Sequence, residues 1–425
     1  DRAGNEAVLD SMQAADLLPE YSRDGLPPQP LVEGSDCYVP NGDYDGPEVL
    51  ATSGSIITIT AIDLAAPDSV TSVCLNGYAS GYYMSVENLY LTTSAEGDRT
   101  LIHKIALNGG QPQYRGSGEV IGYLGTASPS FLMSEHEGDL RVVSSVWGDD
   151  IFPIPLMPDA ENAAPAAPEE EIRGRHHLTV LRENPDAARL ELVARLPNDA
   201  RPAHIGKPGE DLYAARFVGD RAYLVTFEVI DPLYVLDLAD PQDPRIAGEL
   251  ELPGFSTLLQ PLGASLLLGV GQEVPPDTGL TQGVKIALFD VANLGDPVEL
   301  GSDIVGKRGS YSPALGDHHA LTLLENDGGY RLAVPISRHA FLQPGGNPAD
   351  PWTWYGWSDS ALYQYSVDTA AGTLRRVGTL VSEQRSEGQE WPLRDLYRSR
   401  SVIHDDAVYF LLQNSADVLS ALWGE

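Results

Sequence analysis

The stretch that decides the fold begins with the run LYAARF at Leu212–Phe217 and a turn at Gly219-Asp220. The runs AYLVTF (Ala222–Phe227), LYVLDL (Leu233–Leu238) and IAGEL (Ile246–Leu250) follow it. All four runs are short, rich in β-branched and aromatic residues, and bounded by Gly, Pro and Asp. This composition is typical of strands joined by tight turns. The stretch therefore predicts four consecutive antiparallel strands.

The same pattern of four runs then begins again. Asp237, near the end of the third run, has an equivalent in Asp290, which lies 53 residues further along the chain. A four-stranded unit that repeats about every 40–50 residues is typical of propeller blades, so the sequence predicts an all-β β-propeller. The second set of runs is Leu258–Leu262, Leu266–Val270, Lys285–Val291 and Val298–Leu300.

Extending this pattern in both directions predicts five complete blades, a two-strand tail at the start and a two- or three-strand beginning at the end. In the fifth blade, Ser312–Leu315 and Ala320–Leu324 are predicted as strands on either side of a Gly316-Asp317 turn. Two interpretations of the partial ends stay open. The ends join to close a ring of six blades, or further strands lie upstream and the ring is larger.

The domain prediction follows from changes in composition. Residues 1–35 carry good helix formers and then several prolines, which predicts a short helix and an extended arm. Residues 36–425 are predicted as the propeller domain. Two Pro-rich or Gly-rich segments, 148–175 and 340–358, are predicted as surface insertions.

Charge excludes one class of partner. The formal net charge is −34, so the phosphate backbone of a nucleic acid would be repelled over most of the surface. No apolar run reaches the roughly 18 residues of a membrane-spanning helix, so no transmembrane segment is predicted. The two cysteines, Cys37 and Cys74, are compatible with one disulfide if the protein is exported.

Collinear motifs extend over roughly residues 31 to 415. They are Ile59–Leu64, Ser85–Tyr90, Thr100–His103, Met133–Val142, Arg216–Phe227, Asp231–Leu233 and Leu252–Ser256. On these motifs the chain resembles a family of exported bacterial and archaeal β-propeller domain proteins that is distantly related to WD-repeats. The chain departs from the family pattern at Gln260, where family members commonly carry a histidine.

The resemblance implies a location and a shape rather than a reaction. Family members are exported to the periplasm, the cell surface or the medium, and they have no settled activity. They usually carry further blades upstream of the segment that resembles Pro30–Cys37. The resemblance thus favours the larger ring, with eight blades. It also implies a partner that completes the ring, namely an N-terminal fragment of the same precursor.

Two local patterns are candidate binding sites. The sequence Asn41-Gly-Asp43-Tyr-Asp45-Gly matches the start of a calcium loop, although the usual glutamate at its twelfth position is absent, and a plain polar turn is the alternative. Half of the six tryptophans lie in one window, which contains Trp352, Trp354, Tyr355 and Trp357. These aromatics either form a contact surface for a partner or pack onto the blade below.

Catalytic motifs are absent. No His-Glu-x-x-His or Gly-x-Ser-x-Gly pattern is present, and the adjacent pairs His176-His177 and His318-His319 cannot each share one strand face. The sequence Gly116-Ser-Gly118 is no dinucleotide loop, because no helix follows it, and it is predicted as an irregular strand.

These observations predict an exported, non-enzymatic scaffold that binds a protein or polysaccharide partner through loops on the propeller faces. No catalytic residue is assigned, and calcium is the one cofactor expected. The alternative is a metal-dependent enzyme whose site lies at the central channel of the propeller. Loss of activity on chelation would distinguish the enzyme from the scaffold.

Overall fold

The computed structural model of the 425-residue chain describes residues 2, 4, 8, 11–39, 55–95, 98–124, 129–146, 176–207, 209–227, 231–413 and 417–424. Within these residues the structure is all-β, as predicted, and its strands are labelled β1 to β28 in chain order. They fall into two compact units. The first comprises the described residues of Asp1–Ala167 with His176–Arg195, and the second those of Leu196–Glu425.

The first unit contains a two-stranded sheet, a three-stranded sheet of order β3-β5-β4 and an eight-stranded sheet of order β10-β11-β12-β13-β9-β8-β7-β6. Its strands are β1 (Glu20–Tyr21), β2 (Gln29–Pro30), β3 (Cys37–Tyr38), β4 (Ile56–Asp63), β5 (Ala66–Asn76), β6 (Gly81–Met84), β7 (Asn88–Ala95), β8 (Arg99–Ala106), β9 (Gln113–Ile121), β10 (Met133–His136), β11 (Asp139–Ser145), β12 (His176–Asn184) and β13 (Arg189–Leu196). Its short helices are Ala14–Leu17, Gly34–Asp36, Asn108–Gly110 and Pro129–Leu132.

Two blades make up the eight-stranded sheet. A parallel pairing of Ser117 on β9 with Arg189 on β13 and an antiparallel bridge between Tyr123 and Ser145 join them. The glycines of β9 permit this approach. A Cβ atom on Gly116 would overlap the carbonyl of Ala188, and one on Gly118 would lie 2.6 Å from the carbonyl oxygen of Leu190. The irregular strand predicted here is therefore confirmed, and its glycines serve the joining of two blades.

The second unit contains three four-stranded sheets of order β14-β15-β16-β17, β18-β19-β20-β21 and β22-β23-β24-β25, and a three-stranded sheet of order β26-β27-β28. The strands are β14 (Asp211–Val218), β15 (Arg221–Phe227), β16 (Asp231–Asp237), β17 (Arg245–Leu252), β18 (Phe255–Leu262), β19 (Leu266–Gln272), β20 (Val284–Asp290), β21 (Val298–Val305), β22 (Thr322–Asn326), β23 (Gly329–Leu342), β24 (Tyr355–Asp368), β25 (Thr373–Gln384), β26 (Arg400–His404), β27 (Ala407–Leu411) and β28 (Val418–Leu422).

Adjacent sheets of the second unit share one core. Tyr223 and Val235 of the β14–β17 sheet pack in the same buried cluster as Leu267 and Phe289 of the β18–β21 sheet. Full burial of one such side chain stabilises the fold by about 1.5–3 kcal/mol. The inner strands β19 and β20 are buried along nearly their whole length, whereas the outer strand β21 alternates between exposed and partly buried residues.

One strand prediction in the second unit is wrong. The segment Ser312–Leu315 is no strand, because Pro313–Leu315 and His318–Ala320 form two 3₁₀ turns before β22 begins. The cause is local. Pro313 starts the first turn, and the Ser312 side chain accepts a hydrogen bond from the Ala314 amide (3.2 Å). The blade is left with four strands, β22 to β25.

The predicted insertion 340–358 is shorter than expected. Strand β23 continues to Leu342 and β24 begins at Tyr355, so the loop between them comprises residues 343–354. The predicted insertion 148–175 lies outside the described residues. At the chain start, Arg2, Gly4, Val8 and Ser11 are helical. In the described parts of the chain, every helix is too short or too polar to cross a bilayer.

Candidate functional site

The loop between β23 and β24 is held in shape by its own polar side chains. The Asn347 carboxamide oxygen accepts from the Ala349 amide (3.0 Å), and the Asp350 carboxylate accepts from the Trp352 amide (3.0 Å). The Thr353 hydroxyl donates to the backbone oxygen of Asn347 (2.7 Å). The bonds accepted by Asn347 and Asp350 are typical Asx turns. Together with the Thr353 bond, they fix a loop that has no core of its own.

Two tryptophans of this loop present their rings to solvent. Trp352 is 65% exposed and Trp354 is 63% exposed. The guanidinium carbon of Arg308 lies 5.6 Å from the ring centroid of Trp352 and 4.6 Å from that of Trp354. Cation–π attraction of this kind contributes about 0.5–1 kcal/mol per pair at exposed sites. We call the three side chains the aromatic platform.

The backbone of Arg308 is also held by a hydrogen bond to the start of β24. Its backbone oxygen accepts from the Tyr355 amide (3.2 Å), which ties the start of β24 to the segment before the first 3₁₀ turn. Its Nε atom is buried and makes no hydrogen bond. The side chain is therefore positioned by the two indole rings.

The structure separates the four aromatics that the sequence grouped. Trp357 is fully buried within β24, and its indole nitrogen donates to the Ser360 hydroxyl (3.1 Å). It packs inside the blade, so the expectation that Trp357 contacts a partner is wrong. Tyr355 is half-buried at the base of the loop. Contact of a partner with Trp352, Trp354 and Tyr355 stays a prediction.

Of the other predicted site residues, the two cysteines come together. Cys37 on β3 and Cys74 on β5 form a disulfide with a Cα–Cα distance of 4.3 Å, which confirms the predicted bridge. The predicted calcium ligands Asn41, Asp43 and Asp45 lie outside the described residues. Calcium binding there stays a prediction.

A charged cleft of about 470 Å³ lies in the first unit. At its base the Lys104 amine is 2.9 Å from Glu183 Oε2 and 3.7 Å from Glu135 Oε1. Burial acts to raise the pKa of Glu183, but hydrogen bonds from Lys104 and Arg115 outweigh it and hold the pKa below its ordinary value. Arg182, the third lining cation, is paired with Asp139. Because each of these three cations has a carboxylate partner, the cleft offers a charged ligand little electrostatic gain.

A polar cluster in the second unit was missed by the sequence prediction. Asp317, His318 and His319 each offer one potential metal-ligand atom, and these atoms lie within 4.8 Å of one another. The two histidines are on a 3₁₀ turn, so the argument that adjacent residues cannot share a strand face does not apply to them. The signal available in the sequence was the Asp-His-His triplet itself, since Asp is a preferred cap.

A family model of beta propeller domains matches residues 2–421. The chain belongs to the beta propeller domain family. The four-stranded antiparallel sheets of the second unit and the two halves of the eight-stranded sheet in the first are blades of this family, as the sequence pattern predicted.

Two archaeal relatives share part of the propeller sequence. An uncharacterized protein of Methanocaldococcus jannaschii is 40% identical over 227 residues, which are 53% of this chain and 29% of that protein. An uncharacterized protein of Archaeoglobus fulgidus is 30% identical over 265 residues, which are 62% of this chain and 34% of that protein. The matches span about a third of each relative's length.

Solved structures resemble the propeller only distantly. A protein of Lactobacillus plantarum has a TM-score of 0.41 at 13% identity, and the match covers 86% of this chain and 94% of that one. The periplasmic gluconolactonase of Pseudomonas aeruginosa has a TM-score of 0.40 at 14% identity, with 87% and 97% covered. At these values the similarities carry no inference about activity. The alternative of a metal-dependent enzyme at a central channel stays a prediction.

Proposed function

We propose that this propeller is an exported, non-enzymatic scaffold that binds a polysaccharide partner on the aromatic platform. The observation that carries the proposal is the pair of solvent-exposed indole rings, Trp352 and Trp354, which both contact the Arg308 guanidinium. Large rings with an apolar face and a polar edge are the side chains that dominate recognition surfaces.

The platform suits sugar rings because its faces are flat, exposed and fixed before binding. The Arg308 guanidinium contacts both indoles, and the Asx turns at Asn347 and Asp350 fix the backbone that leads to Trp352. A surface that is already ordered loses less conformational entropy when it binds, so it holds a ligand more tightly for the same contacts. The aliphatic face of a pyranose ring can lie on an indole face, and its hydroxyl groups can reach the polar atoms of the loop.

Charge favours a neutral polysaccharide over an acidic one. The chain carries a formal net charge of −34, which repels a polyanion at long range. The Arg308 guanidinium already contacts both indole rings. Stacking on the rings therefore contributes more to binding than ion pairing does.

Export is supported by the disulfide. Bridges such as Cys37–Cys74 form and persist in oxidising surroundings and are rare in reducing ones. The periplasm, the cell surface and the medium all meet this condition. Detection of the reduced cysteines in protein isolated from its native cells would contradict export.

The test is the affinity of the protein for soluble neutral glycans, measured by retardation in gels that contain each glycan and then by calorimetry. Trp352→Ala with Trp354→Ala should weaken binding at least about 30-fold, which corresponds to about 2 kcal/mol for the loss of a recognition centre. Trp391→Ala is the matched control, because Trp391 is 69% exposed but lies outside the platform. It should bind as the unaltered protein does.

Unchanged affinity in the double variant would overturn the proposal. Equal losses in the Trp391→Ala control would also overturn it, since the effect would then belong to exposed tryptophan in general. If the platform binds a protein and no glycan, the proposal that the partner is a polysaccharide is contradicted, and the partner is a protein instead.

A further inference from the structure

The 3₁₀ turn before β22 places two imidazoles and a carboxylate side by side. The ring centroids of His318 and His319 are 3.9 Å apart, and one potential ligand atom from each of Asp317, His318 and His319 lies within 4.8 Å of the others. The Asp317 side chain accepts from the His319 amide (3.0 Å), so the turn itself sets the positions of these residues.

The contact between Asp317 and His319 has the dimensions of two ligands on one ion. His319 Nδ1 lies 2.9 Å from Asp317 Oδ1. Two donors that are each about 2.0–2.2 Å from a shared ion are about 3.0 Å apart at a right angle and about 3.4 Å apart at the tetrahedral angle of zinc, so the two atoms would separate by about 0.5 Å or less. A divalent cation could therefore take the place of the proton that these two atoms share, with little movement of either side chain.

We infer that Asp317, His318 and His319 form a binding site for a divalent transition metal ion of the zinc class. Imidazole nitrogen with one carboxylate suits Zn²⁺, Co²⁺, Ni²⁺ and Cu²⁺. Calcium and magnesium prefer ligand sets made of oxygen alone, so they fit this site poorly. The site is distinct from the predicted calcium loop and from the aromatic platform.

The second oxygen of Asp317 already has a partner that would support this role. It accepts from the Arg400 guanidinium. Ligating carboxylates are commonly hydrogen-bonded by such outer groups, which orient them toward the metal. The nearby positive charges of Arg400 and Arg216 oppose a dication, so we expect micromolar rather than tighter affinity.

The first measurement is a calorimetric titration of the full chain with Zn²⁺ after treatment with chelator and its removal. It is made in roughly 0.5 M salt, where attraction to the acidic surface is screened. One equivalent of Zn²⁺ bound with micromolar affinity is expected, and excess Ca²⁺ should not displace it. With Co²⁺ as the probe, the visible absorption bands should show nitrogen ligation.

His319→Ala is the decisive variant, because the His319 side chain is 70% exposed and its removal leaves the fold undisturbed. It should weaken Zn²⁺ binding at least tenfold, and His318→Ala should do the same. His404→Ala is the control. His404 lies beside Asp405, with 3.3 Å between their polar atoms, but has no second histidine next to it, so its loss should change nothing.

Three results would overturn the inference. The first is the absence of an equivalent of Zn²⁺ bound with micromolar affinity. The second is unchanged Zn²⁺ affinity in His319→Ala. The third is a loss of Zn²⁺ affinity in His404→Ala as large as the loss in His319→Ala. None of these results bears on glycan binding, which is measured separately on the aromatic platform.

Discussion

His103, one of the buried histidines of the first unit, should make that unit sensitive to mild acid. His103 lies on β8 and is 5% exposed, and its Nδ1 atom lies 2.5 Å from the Ser117 hydroxyl. Burial lowers the pKa of His103 from 6.5 to about 4. In the unfolded chain the histidine is solvated and keeps its ordinary pKa.

The difference between the folded and unfolded pKa values sets the direction in which stability changes with pH. Between pH 6.5 and 4 the unfolded chain binds a proton that the folded chain does not, so stability is present above pH 6.5 and is lost as the pH falls toward 4. The two pKa values correspond to a total of about 3 kcal/mol, of which about 2 kcal/mol is lost by pH 5.

The assay is hydrogen exchange of the β8 and β9 amides at pH 7.5 and pH 5, since these amides report on the first unit alone. His103→Asn keeps a hydrogen-bonding atom near Ser117 but cannot be protonated, so it should lose about 2 kcal/mol less between the two pH values than the unaltered protein. His136→Asn, at a partly exposed histidine of the same unit, should behave as the unaltered protein does. An equal loss in His103→Asn would refute the reasoning.

Three further changes test other parts of the structure. Gly116→Ala should destabilise the first unit by about 2 kcal/mol or more in urea unfolding, because its φ of 141° disfavours a side chain and a Cβ atom would overlap the backbone before β13; Gly301→Ala, which has open space, should cost under about 1 kcal/mol. Lys104→Met should cost about 2–3 kcal/mol, since it removes the shared cation of two half-buried glutamates, and a cost below about 1 kcal/mol would contradict that pairing. Replacing residues 344–353 with a short turn should abolish glycan binding while the thermal midpoint of the second unit stays unchanged, and retained binding would show that the loop is not the contact surface.

The strands were predictable because each carries its own signal. The run at Leu212–Phe217 lies within β14 with one further residue at each end, since a short run rich in β-branched and aromatic residues and bounded by Gly, Pro and Asp specifies a strand without reference to the rest of the chain. The exception was Ser312–Leu315, where Pro313 and the capping side chain of Ser312 favour a 3₁₀ turn instead of a strand. A Ser-Pro pair followed by an Asp-His-His triplet was a turn signal.

The candidate sites were less predictable because they depend on where each strand ends and on which strands are neighbours. The window Trp352–Trp357 contains both a loop and the start of β24, and composition alone could not place the boundary at Tyr355. The contact of Arg308 with the two tryptophans joins segments that are more than 40 residues apart. Lys104 and Glu183 are farther apart still, so the pairing of sheets decides that they meet.

Because β9 pairs with β13, the two blades of the eight-stranded sheet are expected to be duplicated or lost together in evolution. In most repeat architectures each repeat can be gained or lost singly, because it meets its neighbours through side chains. Here the loss of either blade would expose the backbone groups and glycines of the other at Ser117 and Arg189. Ancestral duplications and deletions of this region are therefore expected to have moved the two blades together, and homologues with one blade fewer should carry larger residues in place of Gly116 and Gly118.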